Sequence, residues 1–211
     1  MGILDNILKK ATDKVSSAAQ QGANKAIHDA KSGITKAAKA AAANAQSKRE
    51  TFTFSALPTS LAELQALPEA DLSTPFKTAA LVVAALNNFE NDRTATIDML
   101  DWLSGPREVS THEQQFLRDQ LGGKMYVIRS YFAGTSPENN YTPTQPYSVT
   151  IFDDPYSYQN EGMAKLDITS SGADSPRQVL LRLKPSEGKW YLYENYLLSG
   201  IRIPKSQDVW A

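Results

Sequence analysis

The 211-residue chain has no cysteine and only two histidines, His28 and His112. The missing cysteine excludes disulfides, thiolate metal sites and cysteine nucleophiles. Two histidines in different regions are too few for a multi-histidine metal site and argue against a Ser-His-Asp triad. We therefore expect no metal, no cofactor and no catalytic residue, and we favour a binding protein over an enzyme.

Several functional motifs are also missing. The chain contains no GxxxxGK or GxGxxG phosphate-binding loop and no GxSxG nucleophile elbow. Its longest apolar run is Ala79–Leu86, whereas about 20 residues are needed to span a bilayer. The short apolar start is followed by Lys9-Lys10 and does not make a secretory signal. We expect a cytoplasmic protein, with a peripheral position at the inner membrane face as an option.

Aromatic residues and prolines are missing from the first 50 residues, and this divides the chain in two. Residues 1–50 hold 13 alanines and a net charge of +5, whereas residues 51–211 carry a net charge of −6. An Ala- and Lys-rich segment cannot build a core alone but can form a long helix. We predict a basic helical segment over 1–50 and a globular domain over 51–211, with the boundary at 47–52.

The N-terminal segment repeats every 11 residues, and the repeat is marked by Lys14, Lys25 and Lys36. Eleven residues make three helical turns, so equivalent positions return to one face of a helix. This predicts a long amphipathic helix with an Ala-rich apolar stripe. The large apolar residues of the segment concentrate at its start, namely Ile3, Leu4, Ile7 and Leu8. The pattern resembles the undecad helices of lipid-surface proteins such as apolipoproteins and synucleins.

That resemblance implies a helix on an anionic membrane surface, with its first two turns inserted and its lysines at the headgroups. Two alternatives stay open. The segment can pack with a second copy or a partner helix, or it can serve as a tether without a specific partner. Nucleic acid is not expected, because the lysines are few and no aromatic side chain is available for base stacking.

The globular part is first helical and then extended. Capping sequences and helical periodicity predict four helices over 53–123, and the second is apolar nearly all round, as in a buried central helix. Alternating β-branched and aromatic residues then predict five strands. The five are Met125–Ala133, Tyr147–Phe152, Met163–Thr169, Gln178–Leu183 and Lys189–Leu197.

The last strands are joined by short turns at Ser170–Arg177 and Pro185–Gly188, so they are antiparallel neighbours. Helices followed by such a meander predict an α+β fold with the helical subdomain packed on the antiparallel sheet. An open polar pocket between the layers would favour a small-molecule-binding or catalytic domain. A filled interface would exclude it, and the residues expected to fill it are Phe76, Val83, Leu86, Leu100 and Phe116.

Tyrosine is concentrated in residues 126–158, which hold six of the nine tyrosines. The loop 134–146 within this region is long, and long loops are often functional. Tyrosine supplies rigid amphipathic contact area, although the same side chains can instead pack against the core. The candidate binding surface consists of Tyr141, Tyr147, Tyr156, Tyr158, Arg177 and Trp210. Arg177 can contact an anion or pair with Asp174, and Trp210 becomes a partner anchor if the C-terminal tail does not dock on the domain.

Four short motifs carry a family resemblance over about residues 52–211. They are SGADSPR at 171–177, Trp190-Tyr191-Leu192, GIRIP at 200–204 and Asp208-Val209-Trp210. They resemble a bacterial domain family of unknown function, which implies no activity, cofactor or partner. The whole chain is thus predicted to be a non-enzymatic binding or scaffold protein, placed on a membrane surface or in an oligomer by its N-terminal helix.

Overall fold

A five-stranded antiparallel sheet forms one layer of the domain in the computed structural model, which describes residues 47–210. The strands follow one another in the order β1-β2-β3-β4-β5, so the sheet is a meander. The predicted α+β fold with an antiparallel sheet is confirmed. The strands are β1 Arg49–Phe54, β2 Tyr147–Phe152, β3 Met163–Ile168, β4 Arg177–Lys184 and β5 Lys189–Asn195.

All the α-helices that the structure describes lie between β1 and β2 in the chain. Four begin at a side chain that accepts a hydrogen bond from a backbone N–H of the first turn, and these caps are Ser60, Thr74, Asp92 and Ser110. The third of these helices begins at Arg93, because Asp92 caps it. The helices are α1 Leu61–Gln65, α2 Pro75–Leu86, α3 Arg93–Ser104, α4 Thr111–Leu121 and α5 Tyr126–Arg129.

Helix α2 is the centre of the core, as its all-round apolar sequence predicts. Eleven of its 12 residues are buried, and it contacts all five strands. Each buried aliphatic or aromatic side chain of this kind stabilises the fold by about 1.5–3 kcal/mol. The one exception is Lys77, whose ammonium group lies 2.6 Å from the Asp71 carboxylate at the surface.

The predicted strand Met125–Ala133 is wrong. Its first half forms the short helix α5, and only Phe132 makes an isolated bridge, to Val149 of β2. Val127, Ile128, Tyr131 and Phe132 are all buried. When consecutive residues are buried, the sequence shows no alternation that distinguishes a strand from a helix. The tertiary packing therefore decides which of the two forms.

The strand that sequence reasoning missed is β1, all six residues of which pair with β2. Arg49 and Glu50 thus belong to the globular domain, although we assigned them to the N-terminal segment. The alternation is visible in the sequence: Phe52 and Phe54 are buried, whereas Thr51 and Thr53 are exposed. The prediction of helical structure from residue 53 onward is therefore wrong at the end of this strand, where the alternating pattern is typical of a β-strand.

The outer edge of β5 is covered from the helical side. The backbone N–H of Trp190 donates to the Leu72 carbonyl at 2.9 Å, and the Thr78 hydroxyl donates to the Trp190 carbonyl at 2.8 Å. Further along, Leu192 and Glu194 face consecutive residues of β4, which leaves Tyr193 as a bulge. The guanidinium of Arg107 donates to the Tyr193 carbonyl at 3.1 Å. Edge strands protected in this way do not pair with other chains.

One residue expected in the core lies at its border. Phe76, Val83, Leu86 and Leu100 are buried as predicted, whereas Phe116 is 43% exposed. Helix α4 turns Leu117 and Leu121 inward, and Phe116 lies on its outer side. The layers are therefore filled at the centre but not beside α4.

Candidate functional site

An apolar groove lies between α3, α4 and the end of β5. Its volume is about 210 Å³, and its apolar walls are formed by Leu100, Val109, Phe116, Leu117, Leu192 and Leu198. Two aromatic side chains remain largely accessible at this groove, because Phe116 is 43% and Tyr196 is 47% exposed. Exposed aromatic residues beside a concave apolar surface are typical of interaction sites.

A second, basic groove of about 380 Å³ shares Ser104, Arg107 and Leu192 with the apolar groove. It carries three cationic side chains and no acidic one. The residues that line only this groove come from the α3–α4 loop, β4, β5 and the turn between these strands. They are Pro106, Arg182, Leu183, Lys184, Pro185, Tyr191 and Tyr193.

Gly105 allows the α3–α4 loop to lie directly on the sheet. Its φ is +67° and its ψ is −119°, a conformation that residues with a Cβ rarely adopt. A Cβ added there would lie 2.6 Å from Cδ1 of Tyr191. The glycine therefore ends α3 in contact with the Tyr191 ring, and it places Ser104 and Arg107 on either side of this contact.

Arg107 links the three elements that form the apolar groove. Its Nη1 donates to Oε1 of Glu113 on α4 at 2.7 Å, and its Nη2 donates to the carbonyl of Tyr193 on β5. Its Nε is buried and has no hydrogen-bond partner within residues 47–210. The hydroxyl of Ser104, a residue only 2% exposed, is also buried without a partner there.

Two unsatisfied buried polar atoms at one place are unusual in a folded protein. Each costs about 1–3 kcal/mol unless another group supplies the hydrogen bond. Arg107 Nε can only donate, whereas Ser104 Oγ can donate or accept. Because both residues line both grooves, the arrangement suits an occupant with an apolar body and at least one hydrogen-bonding group.

The charges of the two grooves differ. Burial raises the pKa of Glu113, but hydrogen bonds from Arg107 and Ser110 outweigh it and hold this pKa below its ordinary value. Glu113 therefore stays ionised and balances Arg107. Arg182 has no carboxylate partner in the described part of the chain and lies over the Tyr193 ring, 5.8 Å from its centre. The basic groove thus presents an uncompensated positive charge, which attracts anions.

Tyr191 completes the basic groove as a neutral group. Burial and the hydrogen bond to the Glu187 carboxylate raise the pKa of Tyr191 to about 12. The same carboxylate forms an ion pair with Lys184, which partly neutralises the charge of this lysine. Arg182 is consequently the cation best placed to meet an anionic partner.

Tyr141 is not part of the predicted tyrosine surface, because its side chain is buried. Tyr141 is fully buried, its hydroxyl donates to the Arg202 carbonyl at 2.8 Å, and its ring stacks on Tyr126 at 5.9 Å. It is a packing residue that ties the chain after β5 to the 134–146 loop. The alternative interpretation, tyrosines that pack against the core, holds for this position.

The other three tyrosines lie elsewhere. Tyr147, half-buried on β2, accepts a hydrogen bond from Gln145 and meets Phe132 edge-on. Tyr156 and Tyr158 are 61% and 49% exposed in the β2–β3 connection. Burial and the nearby Asp153 and Glu50 charges raise the pKa of Tyr158 to about 12.

Arg177 is occupied by the backbone. Its guanidinium donates to the carbonyls of Ser175, Ser199 and Gly200 at 2.8–2.9 Å, which ties two loops together. Asp174 forms an ion pair with Arg202 and not with Arg177, which was the partner expected from the sequence. Trp210 is 91% exposed and does not dock on the domain. The predicted helix residues Ile3, Leu4, Ile7, Leu8, Lys14, Lys25 and Lys36 lie outside the described residues.

Residues 47–210 contain no group of three or more acidic or histidine side chains that could hold a metal ion. The adjacent Asp153 and Asp154 serve the backbone instead. Asp153 accepts from the Lys48 N–H at 2.5 Å, and Asp154 accepts from the Tyr156 N–H at 2.7 Å. Over the same residues, no helix combines the length and the apolarity needed to cross a bilayer.

Comparison with known families gives one match. The family described as Domain of unknown function (DUF6935) matches residues 56–205, well over half of the chain. The chain belongs to the DUF6935 family. The predicted resemblance to a domain family of unknown function is confirmed. No curated protein and no solved structure matches the chain. The matched range contains every residue named above for the two grooves of the DUF6935 domain.

Sequence reasoning missed this site. The residues of the apolar groove run from Leu100 to Leu198, and no spacing in the sequence connects them. The one local signal is Gly105-Pro106-Arg107, where a helix stop is followed directly by an arginine. Only the packing of α3 and α4 against β5 shows that this arginine lies between two grooves.

Proposed function

We propose that the DUF6935 domain is a binding module and that its two grooves hold part of a partner molecule. One observation carries this proposal: Ser104 Oγ and Arg107 Nε are buried without a partner among residues 47–210, at the junction of an apolar and a basic groove. A partner that inserts an apolar group and supplies hydrogen bonds satisfies both atoms. The accessible Phe116, Tyr193 and Tyr196 then become contact area.

The dimensions favour a protein or peptide side chain over a cofactor. Small-molecule sites measure about 300–1,000 Å³ and enclose most of their ligand. The apolar groove, at about 210 Å³, is smaller, the basic groove, at about 380 Å³, lies near the lower limit of that range, and both are open. We therefore favour binding over catalysis, and the domain holds its partner by an inserted anchor and a charge contact.

The first prediction uses 1-anilinonaphthalene-8-sulfonate, an anion with an aromatic body that matches both grooves. We expect the folded full chain to bind it with a Kd of roughly tens of micromolar, at about −0.3 kcal/mol per non-hydrogen atom. Phe116→Asp places a charge in the apolar groove and should raise the Kd at least about tenfold. Fluorescence titration measures both values.

Tyr156→Asp is the matched control, because Tyr156 is also an exposed aromatic residue but lies outside both grooves. Near-ultraviolet circular dichroism must be unchanged in each variant, since loosely packed proteins also bind this dye. Equal dye affinity of Phe116→Asp and the unmodified chain would remove the apolar groove as a binding site.

We further propose that residues 1–50 place the DUF6935 domain on an anionic membrane surface. The support is the 11-residue repeat, with its early cluster of large apolar residues and its three lysines in register. Self-association or a partner helix is the alternative use of the same apolar stripe. In both cases the N-terminal segment locates the domain, and the grooves select what it binds.

The second prediction tests this placement with the full chain and vesicles. We expect co-sedimentation with vesicles rich in phosphatidylserine, a gain of helical circular dichroism, and loss of binding in high salt. Ile7→Asp should abolish binding because it puts a charge into the inserted turns. Ile27→Asp, the same substitution off the apolar stripe, is the control. Binding that is equal for neutral and anionic vesicles, or absent for both, would contradict a lysine-dependent membrane surface role.

A further inference from the structure

We propose that the two grooves of one molecule receive the Asp208-Val209-Trp210 segment of a second copy of this chain. The inference rests on the proposed binding function of the grooves and names their partner. It makes the assembly heterologous, because a protruding segment of each molecule enters a concave site of the next.

The first observation is where apolar surface is exposed. Eight large apolar residues are exposed within residues 47–210, and three of them surround the grooves while three lie on the C-terminal segment. Val209 and Trp210, at 88% and 91%, are the most exposed of all. Exposed apolar surface of this extent marks an interaction site; one group borders concave grooves and the other belongs to an exposed segment. The six are Phe116, Tyr193, Tyr196, Ile203, Val209 and Trp210.

The second observation is that the C-terminal segment is held in a presenting position. The Arg202 N–H donates to the Gly172 carbonyl at 2.9 Å, and Lys205 pairs with Glu138 at 3.1 Å. Beyond these anchors the Trp210 N–H donates to the Asp208 carboxylate at 2.9 Å. This turn directs the Trp210 side chain into solvent, so less conformational entropy is lost when a partner binds it.

The third observation is that the unpaired hydrogen-bonding groups of the grooves complement those of the C-terminal segment. The Trp210 indole N–H is a donor, makes no hydrogen bond within the described chain, and can be accepted by Ser104 Oγ. A backbone carbonyl of the inserted segment can accept from Arg107 Nε. An apolar groove of about 210 Å³ suits one large side chain, and tryptophan is the commonest anchor of protein interfaces.

The fourth observation is charge. Asp208 is the only ionisable side chain among residues 206–210, and Arg182 of the basic groove has no carboxylate partner in the described part of the chain. With Trp210 in the apolar groove, Asp208 of the second copy meets the basic groove that adjoins it. Opposite charges then set the direction of the inserted segment.

Sedimentation velocity of the full chain tests this assembly from roughly 10 µM to roughly 1 mM, the range for small interfaces. We expect the mean mass to rise with concentration. Trp210→Ala should lower the association constant at least about 30-fold, and Arg182→Glu about tenfold. Tyr156→Ala, an exposed aromatic outside both surfaces, should leave it unchanged. Asp208→Lys combined with Arg182→Glu should restore association, because it exchanges the two charges.

An equimolar mixture of Trp210→Ala and Arg182→Glu chains is the decisive sample. One intact segment and one intact groove remain, so the mixture should form one-to-one dimers with a higher association constant than either variant has alone. A monomeric unmodified chain, an unchanged mass in Trp210→Ala, or a mixture without dimers would overturn the inference. Dye binding that still depends on Phe116 in those cases would leave the proposed function standing, whereas dye binding independent of Phe116 removes both.

Discussion

Tyr141→Ala is expected to lower the free energy of unfolding by about 3–5 kcal/mol, the usual cost of removing a buried aromatic side chain. The residue is fully buried, stacks on Tyr126 and donates its hydroxyl hydrogen to the Arg202 carbonyl. Gly172 lies so close that an added Cβ would be 2.5 Å from the Tyr141 hydroxyl oxygen. The alanine variant therefore leaves a cavity beneath the chain that leads to the C-terminal segment. Urea denaturation measures the loss.

Tyr141→Phe separates packing from hydrogen bonding. It keeps the ring and removes one hydrogen bond to a partly buried carbonyl, which should cost about 1–2 kcal/mol. Tyr156→Ala, on an exposed side chain, should change stability by no more than about 0.5 kcal/mol. If Tyr141→Ala cost as little as Tyr156→Ala, Tyr141 would have to lie on the surface, as the sequence suggested.

The second large effect is expected at Gly105, where Gly105→Ala should cost about 3 kcal/mol. Part of this loss is backbone strain, because a positive φ with an extended negative ψ is costly for any residue with a Cβ. The rest is overpacking, since the new methyl group would overlap the Tyr191 ring at 2.6–2.8 Å. A displaced Tyr191 also moves the loop that positions Arg107. We therefore expect weaker dye binding together with the loss of stability.

Gly123→Ala is a matched control for this glycine. Its φ is +68°, nearly the same as at Gly105, but an added Cβ there meets nothing within 4 Å. It should cost only the backbone strain, about 1–2 kcal/mol. Chemical denaturation of both variants gives the difference. Equal losses at the two positions would show that the Tyr191 ring yields without cost and that contact with it does not hold the loop.

The residues of the two grooves connect the stability of the domain with the binding that we propose. Arg107 covers the edge of β5, pairs with Glu113 and keeps one nitrogen unsatisfied. An unsatisfied buried atom of this kind is expected where a partner supplies the missing hydrogen bond. The buried Ser104 hydroxyl, also without a partner within residues 47–210, is a second local cost at the same place. Two such costs within three residues are the physical basis for assigning function to this loop.

Much of the fold followed from local patterns. The caps at Ser60, Thr74 and Ser110 and the apolar surface of α2 predicted these helices, because side-chain capping and helical periodicity act over a few residues. Alternation predicted β2 to β5 for the same reason. The same rule failed at Met125–Ala133, where consecutive buried residues carry no period, and it was overlooked at β1.

The sequence by itself determined three things about this protein: an Ala- and Lys-rich first segment distinct from the rest, an α+β domain after it, and the absence of cysteine chemistry. These follow from residue types and short-range spacing, which the chain carries wherever it folds. Only the tertiary structure decided that Tyr141 is core, that Phe116 is accessible, and that Ser104 and Arg107 lie between two grooves. The burial of Tyr141 depends on contacts with Tyr126 and Arg202, and the other two properties depend on the packing of α3 and α4 against β5, which lies far from them in the chain. No local pattern encodes such contacts.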